Sequence, residues 1–275
     1  MDKQEPFDLN IYPIRPNQQK NPMKKKIHPN LMNIENGCLC LCVAPVRSGK
    51  SSLISNLLLS KNFYKDAFDY VVIISNTAFN DDTSRFLVDK YKGSVYDRYD
   101  DKIIQDIITY QESFTDKRDQ KRFALILDDF IGIKSSSLIW KLCSRYRHYN
   151  CGMLFMASQN FKSLPPIARN NASHYLIGNI TNMKEMDKLS DELSDSFGGD
   201  KSFRSLMNEV HGTEKYQWAY ADLTHNPPKL YKNFDNLLYQ GGKKGSYLEI
   251  DEDNNINNKI KMKRQKDENN ESSDE

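Results

Sequence analysis

Apolar residues fall along this chain in two distinct patterns. Short, nearly unbroken apolar runs at 39–43, 70–75, 123–127, 152–157 and 174–177 predict strands. Continuous rather than alternating apolarity suits a strand covered on both faces, as in a parallel sheet. Between these runs the spacing changes to that of amphipathic helices, predicted at 50–59, 101–111, 136–146 and 182–197. Ile103, Ile104, Ile107 and Ile108 make the stripe of the second, and Met186, Leu189, Leu193 and Phe197 that of the last. Such stripes bury against a sheet, so they are read as core. Strands alternating with helices predict an α/β protein with a mostly parallel central sheet and helices on both faces. Further on, "KYQWAYADLTHNPPKLYKNF" predicts a strand, a Pro-Pro turn and another strand, with Trp218, Tyr220 and Tyr231 in the core. A mixture of aromatic and basic residues also suits single-stranded nucleic acid, but aromatics in strands ordinarily pack.

The ends of the chain lose both patterns. Residues 1–36 carry Pro6, Pro13, Pro16, Pro22 and Pro29, which forbid a regular helix or central strand and predict an extended arm. Residues 243–275 are mostly Asn and mixed charges, too poor in apolar surface to offset the entropy of ordering, and predict a disordered tail. The 37–242 segment between them is long enough for one large α/β domain. The longest apolar runs fall well short of the roughly 20 residues that a membrane helix requires. Met-Asp-Lys-Gln-Glu at the start lacks the apolar region of a signal peptide, so a soluble, intracellular protein is expected.

Composition adds two constraints. Five cysteines are an odd number, and Cys38, Cys40 and Cys42 alternate along one strand. That arrangement suits small buried residues in a reducing compartment, with a metal site on the shared face as the alternative. The formal net charge is +2, which neither announces a nucleic-acid partner nor argues against one. Lys24, Lys25 and Lys26 form a basic run in the arm, read as solvated, with phosphate or an acidic partner as the alternative.

The chemistry concentrates where the first strand meets the first helix. "CLCLCVAPVRSGKSS" runs from an apolar strand into Ala44, Pro45, Val46, Arg47, Ser48, Gly49, Lys50, Ser51 and Ser52. This fits the phosphate-binding P-loop pattern, with Ala44 in place of its first glycine. Backbone N–H groups at the helix start hold phosphate oxygens, the Lys50 amine offsets their charge, and the Ser51 hydroxyl ligates magnesium. An ordinary strand-to-helix turn is the competing reading of the octapeptide alone. Two further features weigh against it. "RFALILDDF" ends an apolar strand in paired carboxylates, with Asp128 placed to reach a metal ion and Asp129 to orient or deprotonate water. "CGMLFMASQN" carries Gln159 to the end of the next strand, where an amide can sense a phosphate, or else merely satisfy backbone groups.

In this order, "APVRSGKSSLISNLL", "ALILDDF", "LCSRYRHYNCGMLFMASQN" and "LPPIARNNASHYLIG" resemble the FtsK/HerA superfamily of ring-forming P-loop ATPases. They are most similar to the poxvirus-type DNA-packaging ATPases of large DNA viruses and virophages. The resemblance covers residues 31–178. It implies a P-loop NTPase fold of the ASCE or RecA-like kind, with an added strand between the P-loop strand and the acidic strand. It also implies ATP and Mg²⁺, and packaging of double-stranded DNA into a capsid by a homo-oligomeric ring, a pentamer or hexamer, docked on a capsid or portal vertex protein. The setting implied is the virion or a viral factory in the host cytoplasm. By position, Lys50 and Ser51 take the phosphate and metal roles, Asp128 the metal role, Asp129 that of a catalytic carboxylate often Glu in relatives, and Gln159 that of sensor. Arg145 or Arg147 is placed as the arginine finger, with Arg169 the other candidate and a helix-terminal or solvated arginine the simpler reading. Arg47 can hold phosphate or face solvent. His148 and His174 are read as packing residues. A HerA-like translocase or helicase in replication or repair, and a nucleotide-regulated capsid assembly module, are the alternative functions.

Overall fold

The computed structural model describes residues 23–129, 133, 137–212 and 214–241. Most of the expected arm and all of the expected tail lie outside the described residues. Among the described residues nine strands are ordered β3-β2-β4-β5-β1-β6-β7-β8-β9 in one sheet. They are β1 (Cys38–Val43), β2 (Tyr70–Ser75), β3 (Val95–Tyr96), β4 (Phe123–Asp128), β5 (Cys151–Ser158), β6 (His174–Ile177), β7 (Ala219–Asp222), β8 (Lys229–Lys232) and β9 (Asn236–Gln240). The helices are α1 (Lys50–Leu59), α2 (Arg85–Lys90), α3 (Asp101–Glu112), α4 (Leu138–Arg145), α5 (Pro166–Asn171), α6 (Met183–Leu193) and α7 (Asp200–His211). Every residue of β1, β4, β5, β6 and β7 is buried. Successive side chains point to opposite faces of a strand, so unbroken burial means that both faces are covered.

The chain forms two compact units. Among the described residues the first takes in 23–38, 51–128, 133 and 137–155, and the second 39–50, 129, 156–212 and 214–241. In the first, β2 runs parallel to β4 from Tyr70↔Phe123 to Ser75↔Asp128, and β3 adds to its other edge. This register sets the Ser75 hydroxyl beside Asp128 at the strand ends. Tyr70 stacks on Phe123 with ring centroids 5.2 Å apart, and Gln111 of α3 donates to the Tyr70 hydroxyl and to Lys121 O. Asp101 on α3 accepts from the Leu138 N–H at the start of α4, so α3 caps α4. The helix expected at 136–146 therefore begins two residues later. It ends in a tighter turn over Tyr146–Tyr149. Lys24 pairs with Asp69 at 2.5 Å, and Lys25 donates to the carbonyls of Lys61 and Phe63. Lys24 and Lys26 are exposed, in keeping with a solvated run, while Lys24 and Lys25 also make these contacts with the first unit. Burial pushes the Cys143 thiol up to about 12 and the Cys151 thiol well above its ordinary range, so neither is poised as a thiolate.

In the second unit β1 runs parallel to β6, from Cys40↔His174 to Val43↔Ile177, and β6 to β9 follow as antiparallel neighbours. The expected strand–turn–strand thus appears as β7 and β8. Trp218, Tyr220 and Tyr231 are core residues, at most 6% exposed. Tyr220 stacks on His174 and Tyr231, a packing role for His174 as well. α6 stops at Leu193 and its stripe continues into a tighter turn over Ser194–Phe197, short of the single helix expected to 197. α7 had no counterpart in the expected elements, although Phe203, Leu206, Met207 and Val210 bury one side of it at helical spacing.

Candidate nucleotide site

The P-loop segment joins β1 to α1, and its part up to Lys50 belongs to the second unit. Ala44 is buried and donates its N–H to Ser158 O at the end of β5, 3.1 Å away. A β-carbon on Gly178 would lie 2.6 Å from the Ala44 β-carbon and 3.3 Å from the Trp218 ring. Glycine at 178 therefore makes the room that alanine takes up at 44, where the common pattern has glycine. Gly49 adopts φ +90°, a left-handed conformation open to glycine, and turns the chain into α1. Lys50 is the first helical residue and only 8% exposed; its amine donates to the carbonyls of Ala44 and Pro45, each at 3.0 Å. The same amine stands 4.0 Å from Asp129 Oδ1. Gln159 Nε2 donates to that carboxylate oxygen at 3.3 Å. Asp129 holds φ +51°, the left-handed region that Asp enters more readily than most residues with a β-carbon. Ser48 Oγ is buried without a hydrogen-bond partner among the described residues, as a group meant for an exogenous oxygen would be. Val46 and Arg47 face solvent.

The motif passes to the first unit at the Lys50–Ser51 peptide bond. There Ser51, Ser75 and Asp128 line one small cavity with Ile54, Ile73 and Leu87. Ser75 Oγ donates to Asp128 Oδ2 at 3.2 Å. Asp81 accepts from the Thr83 N–H at 3.0 Å and from Ser84 Oγ at 3.2 Å, capping the turn at Asp82–Ser84. Burial raises the Asp81 carboxyl, but the Thr83 and Ser84 contacts and a hydrogen bond with Ser51 outweigh it and hold it below its ordinary value. Asp128 and the Ser51 and Ser75 hydroxyls give that cavity oxygen donors, the kind a hard cation such as Mg²⁺ takes. Ser52 is exposed and its carbonyl accepts from Asn56 Nδ2.

The arginines separate by their surroundings. Arg145 and Arg147 are exposed, the first at the end of α4 and the second lying over the Tyr146 ring, 5.4 Å from its centroid. Arg169 is engaged within its own unit, 2.8 Å from Glu192 Oε2 and 5.0 Å from the centre of the Phe161 ring. Sequence reasoning missed Ser75, Asp81 and Gly178. Ser75 was readable as the polar end of an apolar strand, but Asp81 and Gly178 gain meaning only from what they touch.

A phosphate-type loop between a buried strand and a helix, with an acidic pair ending another strand of a mostly parallel sheet, defines the P-loop NTPase fold. Solved structures bear this out. The genome packaging NTPase B204 from Sulfolobus turreted icosahedral virus 2, in complex with AMP, superposes with a TM-score of 0.51 at 19% identity, covering 72% of this chain and 98% of B204. B204, the DNA-packaging ATPase from Sulfolobus turreted icosahedral virus, gives 0.52 at 18% identity, with the same 72% and 98% coverage. The sulfate complex of the former gives 0.50 at 18% identity, covering 72% and 97%. At this identity the likeness is one of fold. No protein-family model matches the chain, and no curated protein matches it. No helix among the described residues is long and apolar enough to cross a membrane.

Proposed function

We propose that this chain is a Mg²⁺-dependent ATPase of the FtsK/HerA superfamily and the motor subunit of a viral genome-packaging ring that drives double-stranded DNA into a capsid. The observation that carries the reading is the cluster at the loop: a buried Lys50 amine 4.0 Å from Asp129, whose left-handed backbone and contact with Gln159 aim the carboxylate. Lys50 and the loop N–H groups hold the β and γ phosphates, and Ser48 Oγ takes a phosphate oxygen. Ser51 and Asp128 hold Mg²⁺, which offsets the phosphate charge when bound. Asp129 accepts the proton of the attacking water, and Gln159 orients that carboxylate and reports the loss of the γ phosphate. Arg145 or Arg147, both exposed, serves the site of the next subunit. The likeness in fold to B204, a DNA-packaging ATPase, supports DNA as the partner.

Purified full-length protein is expected to hydrolyse ATP, and faster with linear duplex DNA. Lys50→Ala should lower turnover by about 10²-fold or more, the scale of removing one charge-stabilising donor. Turnover that neither DNA nor Lys50→Ala changes would defeat the assignment.

A further inference from the structure

The connection between α7 and β7 holds a residue that none of the roles above uses. Tyr216 is 66% exposed and adopts φ +64°, a left-handed conformation unusual for a large side chain. Its ring lies against the P-loop: a β-carbon at Gly49 would stand 3.1 Å from Tyr216 Cδ1, 3.8 Å from Cε1 and 3.9 Å from Cγ. One side of the ring therefore rests on the glycine that precedes Lys50, while most of it remains open. Hydrogen bonds hold the residues that flank Tyr216. Gln217 Nε2 donates to Glu214 at 3.0 Å, and Asn233 Nδ2 donates to Gln217 Oε1 at 2.7 Å. Asn233 also exchanges hydrogen bonds with the Trp218 backbone, at 3.1 and 2.7 Å. Backbone strain that neighbouring contacts hold in place, at an exposed aromatic beside a phosphate loop, points to a binding role.

We propose that Tyr216 is the nucleobase platform of this site, stacking on the base of a nucleoside phosphate whose phosphates lie in the Gly49–Lys50 loop. The proposal rests on the P-loop reading and adds to it a reason for preferring nucleotides over inorganic polyphosphates. A tyrosine ring offers a flat face and, at this exposure, reads no base edge, so stacking discriminates base from no base rather than adenine from guanine.

Calorimetry on the full-length protein with ADP, GDP and pyrophosphate, none of which is consumed, separates the possibilities. Tyr216→Ala should weaken ADP and GDP binding alike, by about 10-fold or more on the scale of lost base–aromatic stacking, and leave pyrophosphate affinity unchanged. Tyr216→Trp should restore ADP and GDP binding. Because the side chain is exposed, the thermal midpoint of both variants should match the wild type. Equal weakening of all three ligands, no weakening of any, or tighter binding of pyrophosphate, as for a ring that plugs the loop, would overturn the platform. A wild-type protein that binds neither ADP nor pyrophosphate would instead overturn the phosphate reading, and the platform with it.

Discussion

Asp128 and Asp129 are joined by one peptide bond and meet different neighbours. Asp128 closes a strand and receives the Ser75 hydroxyl, whereas Asp129 turns into the left-handed region beside Lys50 and Gln159. The proposed roles separate accordingly. Asp129→Asn should keep Mg²⁺–ATP binding and lose about 10²- to 10⁴-fold in turnover, the range of a positioned general base. Asp128→Asn should weaken the Mg²⁺-dependent part of binding itself, seen by calorimetry with and without the ion. Equal loss of binding in both variants contradicts the division. Gly178 and Ala44 are coupled in the same local way. A β-carbon at 178 would press on the one at 44 at 2.6 Å, so Gly178→Ala should cost about 1–3 kcal/mol in denaturant unfolding, as overpacking does. Adding Ala44→Gly should recover most of that. Additive losses in the double variant would show that the two sites are not in contact.

At the scale of elements, α7 and the segment that joins it to β7 bring in residues that no expected element supplied. That connection supplies both Trp218 behind Gly178 and Tyr216. His211 ends α7, where a helix C-terminus favours the charged imidazolium, yet burial dominates and lowers its pKa to about 4. A backbone hydrogen bond at Gln217 opposes this shift and the charge of Lys232 adds to it. The unfolded chain binds the proton near 6.5 and the folded chain only near 4, so between these values unfolding takes up a proton. Stability should therefore fall as pH drops through this window, and His211→Gln should flatten that fall relative to the wild type. Parallel pH profiles of the two proteins by thermal denaturation would show that His211 is not the group responsible.

At the scale of the whole molecule, the proposed ring makes one chain's site depend on another chain's arginine. If Arg145 or Arg147 is the finger, its replacement by alanine should reduce turnover by about 10³- to 10⁵-fold with little change in nucleotide affinity. The charge acts in the transition state. Lys50→Ala subunits keep their arginines, so mixing them with the Arg→Ala protein should restore part of the DNA-stimulated hydrolysis where rings exchange subunits. Confirmed mixed rings without recovery refute a role in trans. Arg169 is the weaker candidate because Glu192 already neutralises it.

The chain's own pattern determined the elements that are locally decided. Nearly continuous apolar runs placed β2 at Tyr70–Ser75 and β6 at His174–Ile177, because strands covered on both faces are apolar along most of their length. The glycine-lysine-serine run placed the start of α1 at Lys50, and "LILDD" placed both carboxylates at the end of β4. Helix ends were less legible. Leu138 begins α4 because Asp101, 37 residues earlier, accepts its N–H, a partner that no local pattern reveals. α7 carries a stripe of its own in Phe203, Leu206, Met207 and Val210, set among polar residues that dilute the pattern. Ser75 beside Asp128, Gly178 against Ala44 and Tyr216 on Gly49 belong to a different class: each pairs residues that the sequence separates widely and only strand order and register bring together. Residue types and their periods are properties of a segment and survive in the sequence alone. Contacts across 53 or more residues depend on how segments pair, which the folded sheet decided.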